Sequence, residues 1–192
     1  MNIGLLGGTF DPVHTGHLIL AQECWHQLML DKVIFVPAHI PPHKEIQSGV
    51  SPADRLNMLR LALEGDNRFE ISTYDIDKGG ISYSIETIRH FREKYGMDAG
   101  IFFLTGADSA EGLSAWKNID DILDLAVFVI ATRPGWSQDS VYERRLKRLE
   151  IPVIDISSSD IRERIRGKSP VDYLLPQAVV RYIRNKGLYT GI

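Results

Sequence analysis

The stretch GGTFDPVHTGH, residues 7–17, sets two glycines, an Asp-Pro and two histidines spaced i, i+3 directly behind a short apolar run. Without side chains, Gly7 and Gly8 would let the chain turn tightly and a phosphate approach the backbone. A helix starting near Thr15 or Gly16 would carry His17 in its first turn, where free N–H groups and the helix dipole favour an anion. His14 lies in the loop just before. The two rings can converge on one phosphate above the helix start. The plainer alternative is two polar residues in a solvated turn, with His17 capping locally. The agreement of glycines, paired histidines and a strand–loop–helix context favours the phosphate. The spacing is not the G-x-G-x-x-G of dinucleotide sites. A histidine pair at i, i+3 also suits a metal, but no third ligand stands nearby, so no protein metal site is expected.

A second string, ISSSDIRERIRGK at 156–168, has the same character. Ser157, Ser158 and Ser159 are N-cap candidates, and Asp160 and Glu163 suit a first helical turn. Arg162 falls about one turn in. Hydroxyls, free N–H groups and a guanidinium at one helix start make a phosphate clamp, though a capped surface helix is the ordinary alternative. Four further segments carry polar or aromatic groups behind predicted strands or at a helix start. PAHIPPHK (37–44) offers His43 and Lys44 on a proline-held loop. GGISYSIETI (79–88) offers Ser82 and Ser84 as caps, Tyr83 as a core or site aromatic, and helix-start N–H donors for a carboxylate. LTGADSAEGLSAWKNID (104–120) offers Asp108 as an acceptor for a hydroxyl, with Gly106 close before it. It also offers Trp116, for a flat ring or for the core. ATRPGW (131–136) offers Arg133, toward an anion or in a surface turn.

These strings need a frame that brings them together. Short apolar runs at 3–6, 32–37, 69–73, 99–106, 125–132 and 151–155 read as strands. Several are apolar on successive residues, which predicts burial on both faces. Helical patterns fall at about 15–29, 52–64, 84–94, 119–124, 139–148, 159–166 and 176–186. The alternation predicts an α/β fold, Rossmann-like and doubly wound, with a mostly parallel sheet and helices on both faces. Such sheets bind ligands beyond the strands' carboxyl ends, near a topological switch point. One domain over 1–192 is expected.

Composition narrows the classes. A net charge of -3 gives no bulk attraction to nucleic acid. The basic clusters at 144–148 and 162–168 are interspersed with Glu and read as solvated helix faces. Cys24 is the only cysteine, so no intrachain disulfide forms, and it reads as a small packed hydrophobe. No apolar run reaches membrane-spanning length, and MNIGLLGG has no basic n-region. A cytoplasmic protein with neither a membrane nor a nucleic-acid partner is expected. Homo-oligomer formation stays open.

The first string resembles the signature of the nucleotidyltransferase superfamily, in which H-x-G-H handles nucleoside triphosphate phosphates. ISSSDIR is similar to its I-S-S-T-x-I-R motif, with Ser159 in place of Thr. Class I aminoacyl-tRNA synthetases share the first motif, but this chain is too short for that role and has no K-M-S-K-S string. Over nearly its whole length the chain resembles the bacterial nicotinate mononucleotide adenylyltransferases. That resemblance implies adenylyl transfer from ATP, with Mg²⁺ carried on it, to nicotinate mononucleotide. The product would be nicotinate adenine dinucleotide, for NAD synthesis.

The resemblance also implies roles. His14, His17 and Arg162 would be catalytic. Gly7, Gly8, Thr9, Phe10, His17, Gly106, Asp108, Arg133, Ser158 and Arg162 would bind ATP. His43, Lys44, Tyr83, Ser84, Trp116 and Lys117 would bind the mononucleotide. Ser84 stands where Thr is usual, and Lys117 where an aromatic is frequent. Arg55 and the C-terminal helix would serve structure. Two rivals stand beside this reading. One is transfer to phosphopantetheine, FMN or a polyol phosphate; the other is a non-enzymatic nucleotide sensor.

Overall fold

The structure is a computed structural model and describes residues 1–42, 49–107, 112–132, 141–152 and 155–191. Six strands form one parallel sheet: β1 (Asn2–Gly8), β2 (Lys32–Pro37), β3 (Phe69–Ile71), β4 (Gly100–Gly106), β5 (Val127–Thr132) and β6 (Leu146–Glu150). Their order is β3-β2-β1-β4-β5-β6, so the winding reverses between β1 and β4. The helices are α1 (Thr15–Gln27), α2 (Pro52–Leu63), α3 (Tyr74–Lys78), α4 (Ser84–Tyr95), α5 (Ile119–Leu125), α6 (Ser158–Arg166) and α7 (Gln177–Lys186). None among the described residues is long and apolar enough to cross a membrane.

Consecutive apolar residues along a strand are what a sheet covered on both faces requires. In β2, Val33 and Phe35 join a core packed by α1, α2 and α7, while Ile34 and Val36 join a second core packed by α4 and α5. Leu104 and Phe103 of β4 divide between the two in the same way.

The last third differs from the sequence expectation. A helix over 139–148 and a strand over 151–155 were expected, of which 139–140 and 153–154 lie outside the described residues. Instead, a single 3-10 turn at Glu143–Arg145 leads into strand β6 at Leu146–Glu150. β6 is the sheet's edge and, among the described residues, pairs only with β5, from Phe128 with Leu146 to Thr132 with Glu150. An edge strand tolerates charge, and charge discourages pairing with another chain. LKRLE therefore mimics a solvated helix in one dimension. The short α3 was also unexpected, and β3 stops at Ile71, ahead of the expected 73.

Candidate active site

A cleft of about 820 Å³ opens beyond the carboxyl ends of β1 and β4, at the switch point. Gly7 and Gly8 are the last residues of β1, and neither has positive φ. The tight turn expected at the glycines lies instead at Phe10, with φ of 51°. Its ring is 1% exposed and packs edge-on to His17 with centroids 5.1 Å apart. Gly8 is small because of that ring: a Cβ there would lie 3.0 Å from it.

His14 is the N-cap of α1, and His17 sits in its first turn. Their rings lie against each other with centroids 3.7 Å apart. The His14 backbone N–H donates to His17 Nδ1 at 3.2 Å. That bond fixes the tautomer: Nδ1 accepts, so the neutral ring carries its proton on Nε2. Burial pulls the His14 value down to about 4. His17 is lowered by burial and then by His14. Both rings are therefore neutral at pH 7 in the ligand-free cleft. His14 Nδ1 is buried and has no hydrogen-bond partner among the described residues. Gly16 makes room for this ring, since a Cβ at Gly16 would lie 3.0 Å from His14 Nδ1.

The start of α6 forms the facing wall. Ser157 is the cap and accepts from the Asp160 N–H at 3.1 Å. That frees the next two hydroxyls. Ser158 donates to the Pro12 carbonyl at 2.9 Å, and Arg162 donates to the Asp11 carbonyl at 2.7 Å and to Ser159 Oγ at 3.1 Å. Ser158, Ser159 and Arg162 line the cleft together with Thr9, His14 and His17.

The other end is apolar and aromatic. Trp116 is half-buried, meets Phe103 and Phe128 edge-on, and also lines the cleft, so it belongs to core and site at once. Tyr83 and Ser84 line the cleft at the start of α4. The cap of that helix is Tyr83, with no side-chain cap bond. Ser82 and Ser84 are therefore not caps; Ser82 Oγ instead accepts from the His39 N–H at 2.9 Å. The Lys117 ammonium lies 3.9 Å from the centre of the Tyr83 ring and 3.4 Å from Glu86 Oε1. Gly106 lines the cleft at the end of β4. His43, Lys44, Asp108 and Arg133 lie outside the described residues.

Two residues of the cleft wall, Asp11 and Asp75, had not stood out in the sequence, while Arg55, expected to serve structure, holds the loop behind β1. Arg55 is fully buried and reaches across from α2, donating to the carbonyls of Thr9 at 2.7 Å and His39 at 3.2 Å. Asp11 sits 5% exposed on the cleft wall. Asp75 is buried there too and accepts from Thr87 Oγ1 at 2.8 Å. Burial raises its carboxyl, against the lowering effect of the Thr87 bond. An Asp-Pro behind two glycines was a signal for Asp11. Asp75 had none, because it lies in the unexpected α3.

A parallel sheet of this order, with a histidine pair and a hydroxyl–guanidinium helix start on one switch-point cleft, has the build of a nucleotidyltransferase. Residues 5–164 match the model of the cytidylyltransferase-like family. A protein of Halalkalibacterium halodurans, named a probable nicotinate-nucleotide adenylyltransferase, is 47% identical over 97% of this chain and 90% of its own. A Moorella thermoacetica protein of the same name is 40% identical over 97% and 91%. A solved structure, the Plasmodium falciparum nicotinic acid mononucleotide adenylyltransferase complexed with NaAD, superposes with TM-score 0.79 over 98% of this chain and 97% of its own. At 18% identity that likeness speaks for the fold. The chain belongs to the cytidylyltransferase-like family and, within it, to the nicotinate-nucleotide adenylyltransferases.

Proposed function

We propose that the protein joins ATP and nicotinate mononucleotide into nicotinate adenine dinucleotide and pyrophosphate, within NAD synthesis. One observation carries the reading: the His14–His17 pair and the Ser158–Arg162 helix start line a single cleft whose other end holds Trp116, Tyr83 and Lys117. The names of the relatives agree with it.

An oxygen of the mononucleotide's 5′-phosphate would attack the α-phosphorus of ATP. That P–O bond forms as the bond from the α-phosphorus to the leaving pyrophosphate breaks. The attacking group is already an anion, so no protein nucleophile is required. Cys24 would not serve as one, because burial holds its thiol up at about 12, with Glu23 adding to the shift. Catalysis then rests on positioning and on donors aimed at developing charge. His17 Nε2–H and the His14 ring would steady the α-phosphate. Ser158 and Arg162 would hold the pyrophosphate side, with Thr9, Phe10 and the end of β1 as the floor. Trp116 would stack on the pyridine ring. The helix-start N–H groups near Ser84, with Lys117, would face its carboxylate.

Mg²⁺ would enter with ATP as part of the substrate. It keeps several waters and needs few protein ligands. Among the described residues no group of three His, Cys, Asp or Glu side chains could hold a metal. The cytoplasm is the compartment this reading expects.

The experiment is pyrophosphate release with MgATP and, in separate reactions, nicotinate mononucleotide, nicotinamide mononucleotide, 4′-phosphopantetheine and FMN. Release with the nicotinate substrate at least tenfold more efficient than with the others is expected. Release with phosphopantetheine or FMN alone would reassign the acceptor, and no release with any would support a sensor.

A further inference from the structure

The loop behind β1 makes no regular secondary-structure bonds over residues 9–12, yet its carbonyls are held. Thr9 O accepts from Arg55 of α2, Asp11 O from Arg162 of α6, and Pro12 O from Ser158 of α6. A fourth tie comes from the far end of the chain. Tyr189 Oη donates to Asp11 Oδ1 at 2.7 Å, across 178 residues of sequence.

That contact is built. Gly187 ends α7 in the left-handed region with φ of 62°, and the Leu188 N–H returns to the Ile183 carbonyl at 3.0 Å. This turn reverses the chain. Tyr189 follows with φ of 64°, a conformation a non-glycine residue adopts only when its surroundings hold it. The ring is 7% exposed. Burial, followed by the Asp11 carboxylate, raises the phenol far above its ordinary range, so it remains a donor. Asp11 is thus gripped twice: its side chain by Tyr189, its carbonyl by Arg162.

We propose that Tyr189 is a positioning residue for the phosphate end of the cleft, fixing Asp11 and through it the reach of the Arg162 guanidinium. The inference rests on the reading that Arg162 meets ATP phosphates. A packing role alone would need the ring; the positioning role needs the hydroxyl. Removing the hydroxyl frees the Asp11 carboxylate to turn. The loop carbonyl that anchors Arg162 Nη1 then loses its fixed place.

Tyr189→Phe deletes one oxygen and keeps the ring. Steady-state kinetics with MgATP and the mononucleotide should show KM for ATP raised about three- to tenfold, the size of one hydrogen bond. KM for the mononucleotide should stay within about twofold. KM reports on folded molecules, so a partly unfolded preparation lowers kcat without imitating this split. The effect should vanish in an Arg162→Ala background, since the arginine it acts through is gone. An unchanged KM for ATP in Tyr189→Phe, or an equal further rise in the Arg162→Ala background, would overturn the proposal. If Arg162→Ala itself left ATP kinetics untouched, the underlying reading of Arg162 would fall instead.

Discussion

Gly16 separates the two histidines in sequence, and its missing side chain lets them meet in space. A Cβ there would press on a ring that is itself 7% exposed, with little room to yield. Gly16→Ala should therefore displace His14 and lower turnover at least about tenfold, one decade per 1.4 kcal/mol of lost transition-state stabilisation. Stability should fall by about 1–3 kcal/mol, as overpacking against a buried ring does, so turnover is compared in the folded variant. Wild-type turnover in a folded Gly16→Ala would detach the ring's position from catalysis. His17→Ala tests the donor directly. Turnover should fall by about 10²–10³ while ATP binding changes far less, as expected for a contact that strengthens in the transition state. The residue types of this motif were legible in the sequence, and so was the helix start at Thr15. The left-handed turn at Phe10 was not, because glycine is the usual occupant of such a turn and two glycines stood nearby. Arg55 was legible as structural, but its two carbonyl targets depend on how α2 docks.

The start of α6 divides its work among three adjacent serines. Ser157 closes the helix, while Ser158 and Ser159 bond to the loop behind β1 and to Arg162. Ser157→Ala should cost about 1 kcal/mol of stability, as loss of a cap does, and leave KM for ATP unchanged. A raised KM without lost stability would mean that the cap itself meets substrate. The start of α4 carries the choice of substrate. Glu86 is held low chiefly by Lys78, at 2.5 Å, and more weakly by Lys117 at 3.4 Å. An exposed pair of the second kind contributes little, so the Lys117 ammonium can exchange Glu86 for a carboxylate on the pyridine. Lys117→Ala should lower kcat/KM for nicotinate mononucleotide by about three- to tenfold and leave the nicotinamide form within about twofold. An unchanged preference would leave the backbone N–H groups as its source. Helix starts of this kind are readable because capping chemistry is local. β6 and α3 were not, since an edge strand's charge and a five-residue helix have no periodicity long enough to read.

The whole sheet places neutral histidines in a buried wall, and that has a cost which varies with pH. The doubly wound architecture was legible from apolar runs buried on both faces, and the convergence of the two rings from their i, i+3 spacing, whereas the burial that lowers both rings depends on how α1 docks on the sheet. His14 titrates near 4 in the folded protein, against an ordinary 6.5. The unfolded chain therefore binds more protons than the folded one between those values. The stabilisation is fully present above about pH 6.5 and is lost as pH falls toward 4. By pH 5 the loss from His14 should be about 2 kcal/mol, and His17 adds to it in the same direction. Asp75 acts oppositely: its raised carboxyl takes up a proton more readily when folded, which offsets part of the fall at the acid end. Urea unfolding at pH 7.5 and pH 5.0 should show a lower midpoint at the lower pH. Substituting His14→Asn should shrink that difference, since Asn does not titrate. Saturating MgATP should shrink it as well. Phosphate oxygens beside the rings favour the imidazolium, raise both histidine values and so remove the proton deficit of the folded state. Equal midpoint shifts with and without MgATP would place the triphosphate away from the histidine pair.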